Sequence, residues 1–153
     1  FQLRQISRET KLAITSVKKY IGSLVNGGFI ILTKKGVYPS YIANRDNELF
    51  RIYKKLDIIE RVYSCGLLDY IYDSCIPNCI ILFGSASKGE DIEGSDIDLF
   101  IQSREKKLDF KKYEKALNRK ITPFFEEDFA KLSPELKNNI LNGVKLKGYI
   151  KVF

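Results

Sequence analysis

The strongest constraint in this chain is a pair of short apolar runs joined by a glycine-serine turn and a polar loop. Ile80-Ile81-Leu82-Phe83 runs into Gly84-Ser85-Ala86-Ser87-Lys88-Gly89, and Gly94-Ser95-Asp96 opens the run Ile97-Asp98-Leu99-Phe100. Short apolar runs bounded by turn residues read as buried strands. Side chains alternate along a strand, so Asp96 and Asp98 project from one face while Ile97, Leu99 and Ile101 point to the other. Two carboxylates side by side repel, and the arrangement is kept where a cation sits between them. Mg²⁺ suits such a pair, since it takes a few carboxylate oxygens and completes its shell with water and phosphate oxygens; Mn²⁺ shares that taste for oxygen. Gly84 lets backbone approach a ligand closely, and Ser85 adds a hydroxyl where helix-start N–H groups can hold phosphate. Together these residues make a place for a metal-bound nucleoside triphosphate.

Other phosphate motifs fail. Gly84 and Gly89 have the spacing of a P-loop, but Glu90-Asp91 follow where Lys-Ser/Thr is required, and no Gly-x-Gly-x-x-Gly occurs. Phe83-Gly84-Ser85, Lys88-Gly89 and Ser95-Asp96-Ile97-Asp98-Leu99 instead resemble, in order and spacing, the signature of minimal nucleotidyltransferases within the DNA polymerase β-like nucleotidyltransferase superfamily. The resemblance implies a mixed β-sheet flanked by helices and transfer of a nucleotide, with ATP as the expected donor. It implies that Asp96 and Asp98 are the catalytic, metal-binding carboxylates, and that Gly84, Ser85, Lys88 and Ser95 bind the nucleotide. It also implies a protein acceptor such as a HEPN-type toxin, in a toxin–antitoxin role, or a small molecule. Enzymes of this superfamily use a third carboxylate early in a neighbouring strand. Thr122 of Arg119-Lys120-Ile121-Thr122-Pro123 falls at that place, and Thr is no base at neutral pH. Glu126, Glu127 and Asp128 follow; they substitute if the strand is shifted, or else open the next helix, where acidic residues suit the dipole.

A length of 153 residues holds one ordinary domain or two small ones. No apolar run of about 18 residues exists, so no membrane span is expected. The absence of a secretory signal pattern and an odd number of cysteines, Cys65, Cys75 and Cys79, point to a reducing cytoplasm and free thiols. The sequence contains no His, which removes Ser-His and Cys-His triads and leaves the chemistry to carboxylates, Lys, hydroxyls or a metal. The chain opens at Phe1 and contains no Met, as expected of a piece of a longer protein.

Of the net charge of +7, +6 falls within residues 1–41, where Arg4, Arg8, Lys11, Lys18, Lys19, Lys34 and Lys35 face Glu9 alone. Leu3 and Ile6 mark a short helix, and a break follows at Lys11-Leu12-Ala13. Val17, Tyr20, Ile21, Leu24 and Val25 then fall on one side of a second helix, capped by Thr15 or Ser16 and ended by Gly27-Gly28. A strand Phe29–Leu32, a turn at Lys34-Lys35-Gly36 and a return strand Val37–Ile42 complete the segment. This order resembles a winged helix-turn-helix domain whose first helix lies before Phe1. That resemblance implies double-stranded DNA as partner, with Thr15, Ser16, Lys18 and Lys19 in the major groove and Lys34 and Lys35 on phosphate.

A helix from about Asp46 to Ser64 carries Leu49, Ile52, Leu56, Ile59 and Tyr63 at steps of three and four, a seam that fits either a second protomer or the chain's own domain. Further helices are expected over Leu67–Cys75, Lys107–Arg119 and from Ser133-Pro134, with strands over Ile121–Phe125 and from Val144 to Val152. The resulting expectation is an α+β chain with three parts. Residues 1–43 form the winged helix-turn-helix, 44–76 the connecting helices and 77–153 the nucleotidyltransferase domain. Two functions follow from it: a Mg²⁺-NTP-dependent nucleotidyltransferase with a DNA-binding domain, or a DNA-binding regulator whose nucleotidyltransferase fold holds nucleotide or dimerises with weak or no turnover.

Overall fold

The structure, a computed structural model, describes residues 1–33 and 38–153. They form two compact units, Phe1–Arg51 and Ile52–Phe153. The mixture of helices with parallel and antiparallel strands is α+β.

The first unit runs α1 (Leu3–Thr10), α2 (Ile14–Asn26), β1 (Ile30–Thr33) and β2 (Ser40–Ala43). Val17 and Ile21, four apart and so on one face of α2, are buried. The N-cap of α2 is Ala13, with no side-chain cap, so Thr15 and Ser16 lie inside the first turn rather than at its start. The reason is local: Ala13 is the last extended residue, and the helix begins a residue ahead of the first hydroxyl. After α2, Gly28 adopts φ +74°, and its carbonyl accepts the side-chain amides of Asn44 at 2.7 Å and Asn47 at 3.1 Å. Strands β1 and β2 pair antiparallel, Ile31 opposite Ile42 and Leu32 opposite Tyr41. Lys34, Lys35 and Val37, expected in the turn and the return strand, lie outside the described residues.

The second unit takes up α3 (Glu48–Ser64) from Ile52 onward. It continues with α4 (Leu67–Cys75), β3 (Cys79–Phe83), α5 (Gly84–Lys88), β4 (Ile97–Ile101), α6 (Lys111–Leu117), β5 (Ile121–Phe125), a 3₁₀ turn (Phe129–Lys131), α7 (Pro134–Leu141) and β6 (Val144–Gly148). The sheet order is β5-β4-β3-β6, with β4 and β5 parallel and the other pairs antiparallel. One face of the sheet (Ile80, Leu82, Ile97, Leu99, Ile101, Ile121, Leu146) packs with Ile58 and Val62 of α3, Leu67 and Ile71 of α4, and Leu117 of α6. The other face buries Cys79, Ile81 and Phe100 beneath Phe129, Leu132 and Ile140. The strands are thus covered on both sides, which is why they read as nearly continuous apolar runs.

Two local details differ from the expectations. The basic helix is shorter than Lys107–Arg119. The Asp109 side chain takes the Lys111 N–H at 3.1 Å at its start, and Asn118 leaves it in the left-handed region at φ 52°. The last strand stops at Gly148 instead of reaching Val152, because Gly148 turns to φ +74° and the Gln102 side-chain amide then accepts the Lys151 N–H at 2.9 Å and donates to the Lys151 carbonyl at 2.7 Å. On α3 the core-facing residues are Ile58 and Val62, while Leu49, Ile52, Leu56 and Tyr63 are exposed and only Ile59 packs inward. All three cysteines are free thiols; burial, the largest influence, pushes that of Cys79 up to about 11.

Edge strand β5 is guarded. In a parallel ladder alternate N–H groups face the neighbouring strand and the rest face outward. Ile121 gives its N–H to the Glu114 carboxylate at 3.0 Å, and Pro123 has none to give. Two successive outward-facing positions thus offer no open donor, which hinders further strand addition there.

Candidate functional site

The site is built where β3 ends. Gly84 follows Phe83 at φ +70°, and a Cβ there would collide with the Asp98 carboxylate, so glycine is required both by conformation and by space. The Ser87 hydroxyl donates to the Gly84 carbonyl at 2.7 Å, closing the single turn of α5. The first-turn N–H groups of a helix lack intrahelical acceptors, and Ser85 stands half-buried among them. Lys88 is exposed at the end of this turn.

Asp98 lies on β4 between Phe83 on one side and Thr122 on the other. Asp96, two residues earlier and therefore on the same face, accepts a hydrogen bond from the Thr122 hydroxyl at 3.0 Å. The structure thus gathers Gly84 just after β3, Asp96 and Asp98 just before and on β4, and Thr122 on β5 into one row. Burial first, and the neighbouring Asp96 charge second, raise the Asp98 carboxyl above its ordinary value. Ionised Asp98 is consequently short of positive charge, which a divalent cation supplies. The Ser95 hydroxyl accepts the Ile92 N–H at 2.9 Å and so closes the turn that leads into Asp96.

The parallel register also places the later acids. Thr122 is opposite Asp98, and Glu126 follows at the other end of the ladder, its N–H bonded to the Ile101 carbonyl at 3.4 Å. Four residues along a strand are about 13 Å. The Glu126 carboxylate accepts the Asp128 N–H at 2.9 Å, Glu127 pairs with Arg104 at 3.0 Å, and Asp128 caps the 3₁₀ turn. Among the described residues no cluster of three or more His, Cys, Asp and Glu is placed to hold a metal. Two carboxylates beside a hydroxyl still fit Mg²⁺, which is commonly held by one or two carboxylates plus substrate phosphates. Of the sequence-expected DNA contacts, Thr15, Lys18 and Lys19 are exposed on α2 and Ser16 is half-buried; Lys34 and Lys35 lie outside the described residues.

Sequence reasoning missed Asp91 and its cations. The Asp91 carboxylate is buried and meets Arg119 at 2.6 Å and Lys54 at 3.0 Å. Both partners are remote in the chain, by 28 and 37 residues, so only the fold brings them together.

A strand, a glycine-serine turn and a further strand thus deliver two aspartates to one face. Residues 77–151, just under half of the chain, match the family model for the nucleotidyltransferase domain. Domains of that family act on nucleotides and generally use divalent metals. No curated protein and no solved structure matches the chain. No helix among the described residues is long and apolar enough to cross a membrane.

Proposed function

We propose that the second unit transfers AMP from Mg²⁺-ATP to an acceptor hydroxyl, and that the first unit binds duplex DNA. The observation that carries the first half is the shared face of Asp96 and Asp98, with the Gly84 backbone turned against the Asp98 carboxylate. In this reading Asp96 and Asp98 hold the metal, which when bound neutralises the phosphate charge. The Gly84-Ser85 turn holds the triphosphate through backbone N–H groups and a hydroxyl, and Lys88 adds positive charge. Transfer then rests on positioning and electrostatics more than on proton abstraction. The resemblance to minimal nucleotidyltransferases points to a protein acceptor of the HEPN toxin type.

The second reading is a DNA-binding regulator whose nucleotidyltransferase fold holds nucleotide with little turnover. Thr122 favours it, since a hydroxyl stands in the row where a third carboxylate is expected. Calorimetry of Mg²⁺-ATP binding tests what both readings share. Asp96→Asn with Asp98→Asn is expected to abolish metal-dependent binding in a protein that remains folded, and unchanged affinity in the double variant would sink the assignment. Radiolabelled transfer assays with candidate protein acceptors then separate the two readings.

A further inference from the structure

Asp91 sits in the loop that joins α5 to β4, yet it is not a solvated loop carboxylate. Its side chain is 9% exposed and that of Arg119 is 12% exposed. Arg119 donates through Nη2 to Asp91 Oδ2 at 2.6 Å and to the Ile92 carbonyl at 3.1 Å. Lys54 of α3 approaches Asp91 Oδ1 at 3.0 Å and also donates to the Asp91 carbonyl. Burying an ion pair returns little net stability, because the lost hydration offsets the attraction. Its placement is therefore the more informative property.

Each partner leads directly to one half of the metal-binding row. From Asp91-Ile92 the chain passes through the turn closed by Ser95 and delivers Asp96. From Arg119 it passes Lys120, whose carbonyl takes the Ile97 N–H at 2.8 Å, and delivers Thr122. The Asp91–Arg119 pair thus ties together two segments whose spacing fixes the distance between the Asp96 carboxylate and the Thr122 hydroxyl. We propose that Asp91 and Arg119 are positioning residues for the metal-nucleotide site, holding Asp96 in register with Asp98 and Thr122, with Lys54 as the second anchor of the loop. This rests on the metal-nucleotide reading of that site.

The test uses the full chain and Mn²⁺ as probe, with unbound Mn²⁺ measured by electron paramagnetic resonance, alone and with ATP. Asp91→Asn and Arg119→Gln are expected to weaken Mn²⁺-ATP binding about 10- to 100-fold, the range usual for groups that orient metal ligands. Arg119→Lys keeps the charge and loses the planar fork, so it is expected to fall between Arg119→Gln and the wild type. Ile71→Val, a core change in α4, supplies the stability control: it lowers the melting temperature without moving the Mn²⁺ affinity. Wild-type affinity in a folded Asp91→Asn protein overturns the positioning role and leaves the pair a stability element only. Should that variant fail to fold, wild-type affinity in Arg119→Lys together with Arg119→Gln has the same force. If the wild-type chain takes up no Mn²⁺ in the presence of ATP, the metal-nucleotide reading itself falls, and the positioning role with it.

Discussion

Asp98 has the Gly84 backbone against its carboxylate and Asp96 two residues away on the same face. Its raised carboxyl has a stability consequence with a definite sign. A carboxyl whose folded pKa exceeds its unfolded value favours the folded state below the unfolded pKa, and this contribution is lost as pH rises through the folded value. At neutral pH the ionised Asp98 of the metal-free protein is therefore a destabilising group. Asp98→Asn is expected to raise the melting temperature in the absence of metal at neutral pH, with the gain vanishing in acid; thermal scans across pH check it. Thr122 carries a second residue-scale expectation. Losing a general base costs on the order of 10²- to 10⁴-fold in rate. Thr122→Asp should accordingly raise AMP transfer or strengthen binding of a second metal. Glu126→Gln should do little, since Glu126 is at the far end of β5 and bonded within its own turn. Brisk wild-type transfer that collapses on Glu126→Gln, in a radiolabel assay, would reverse this placement.

At the scale of elements, the end of α4 is the least comfortable junction. Ile76, a β-branched residue 75% exposed, closes the helix at φ 44°, a region that costs an L-residue roughly 1–2 kcal/mol. Ile76→Gly loses little packing and is expected to stabilise the chain by about 1 kcal/mol in denaturant titrations. The sequence announced most of the site's elements because their signals are local. The apolar runs Ile80–Phe83 and Ile97–Ile101, the glycines and the Ser133-Pro134 helix start each act within a few residues. The alternation of Asp96 with Ile97 and Asp98 placed both carboxylates on one face before any fold was known. What stayed hidden depends on distant partners. The pairing of Asp91 with Lys54 and Arg119 has no local signature. The seam on α3 has the helical period, but which stripe packs on the sheet was not legible, because Leu49-Ile52-Leu56 and Ile58-Val62 are both apolar and only packing chooses between them.

For the whole molecule, the division into two units separates two electrostatic characters: a strongly basic first part and a second that is nearly balanced. If the first unit engages duplex DNA, its affinity should fall steeply with salt, because neutralised phosphates release their counterions. Lys18→Ala with Lys19→Ala should weaken binding across sequences and reduce the salt slope by about two, one for each phosphate no longer neutralised. Gel shifts and anisotropy at several salt concentrations measure this, and no binding to any duplex pool at low salt would count decisively against a DNA role. The sheet order has a consequence of another kind, in the time course of synthesis. Strand β3 is an inner strand, yet one of its two neighbours, β6, is the last strand to be made. While the ribosome extends the chain between them, Cys79-Ile80-Ile81-Leu82-Phe83 presents an open, apolar edge with no partner on that side. Such an edge invites pairing with other nascent chains. The glycine-serine corner and its aspartates can therefore be in place well before the sheet beneath them is closed.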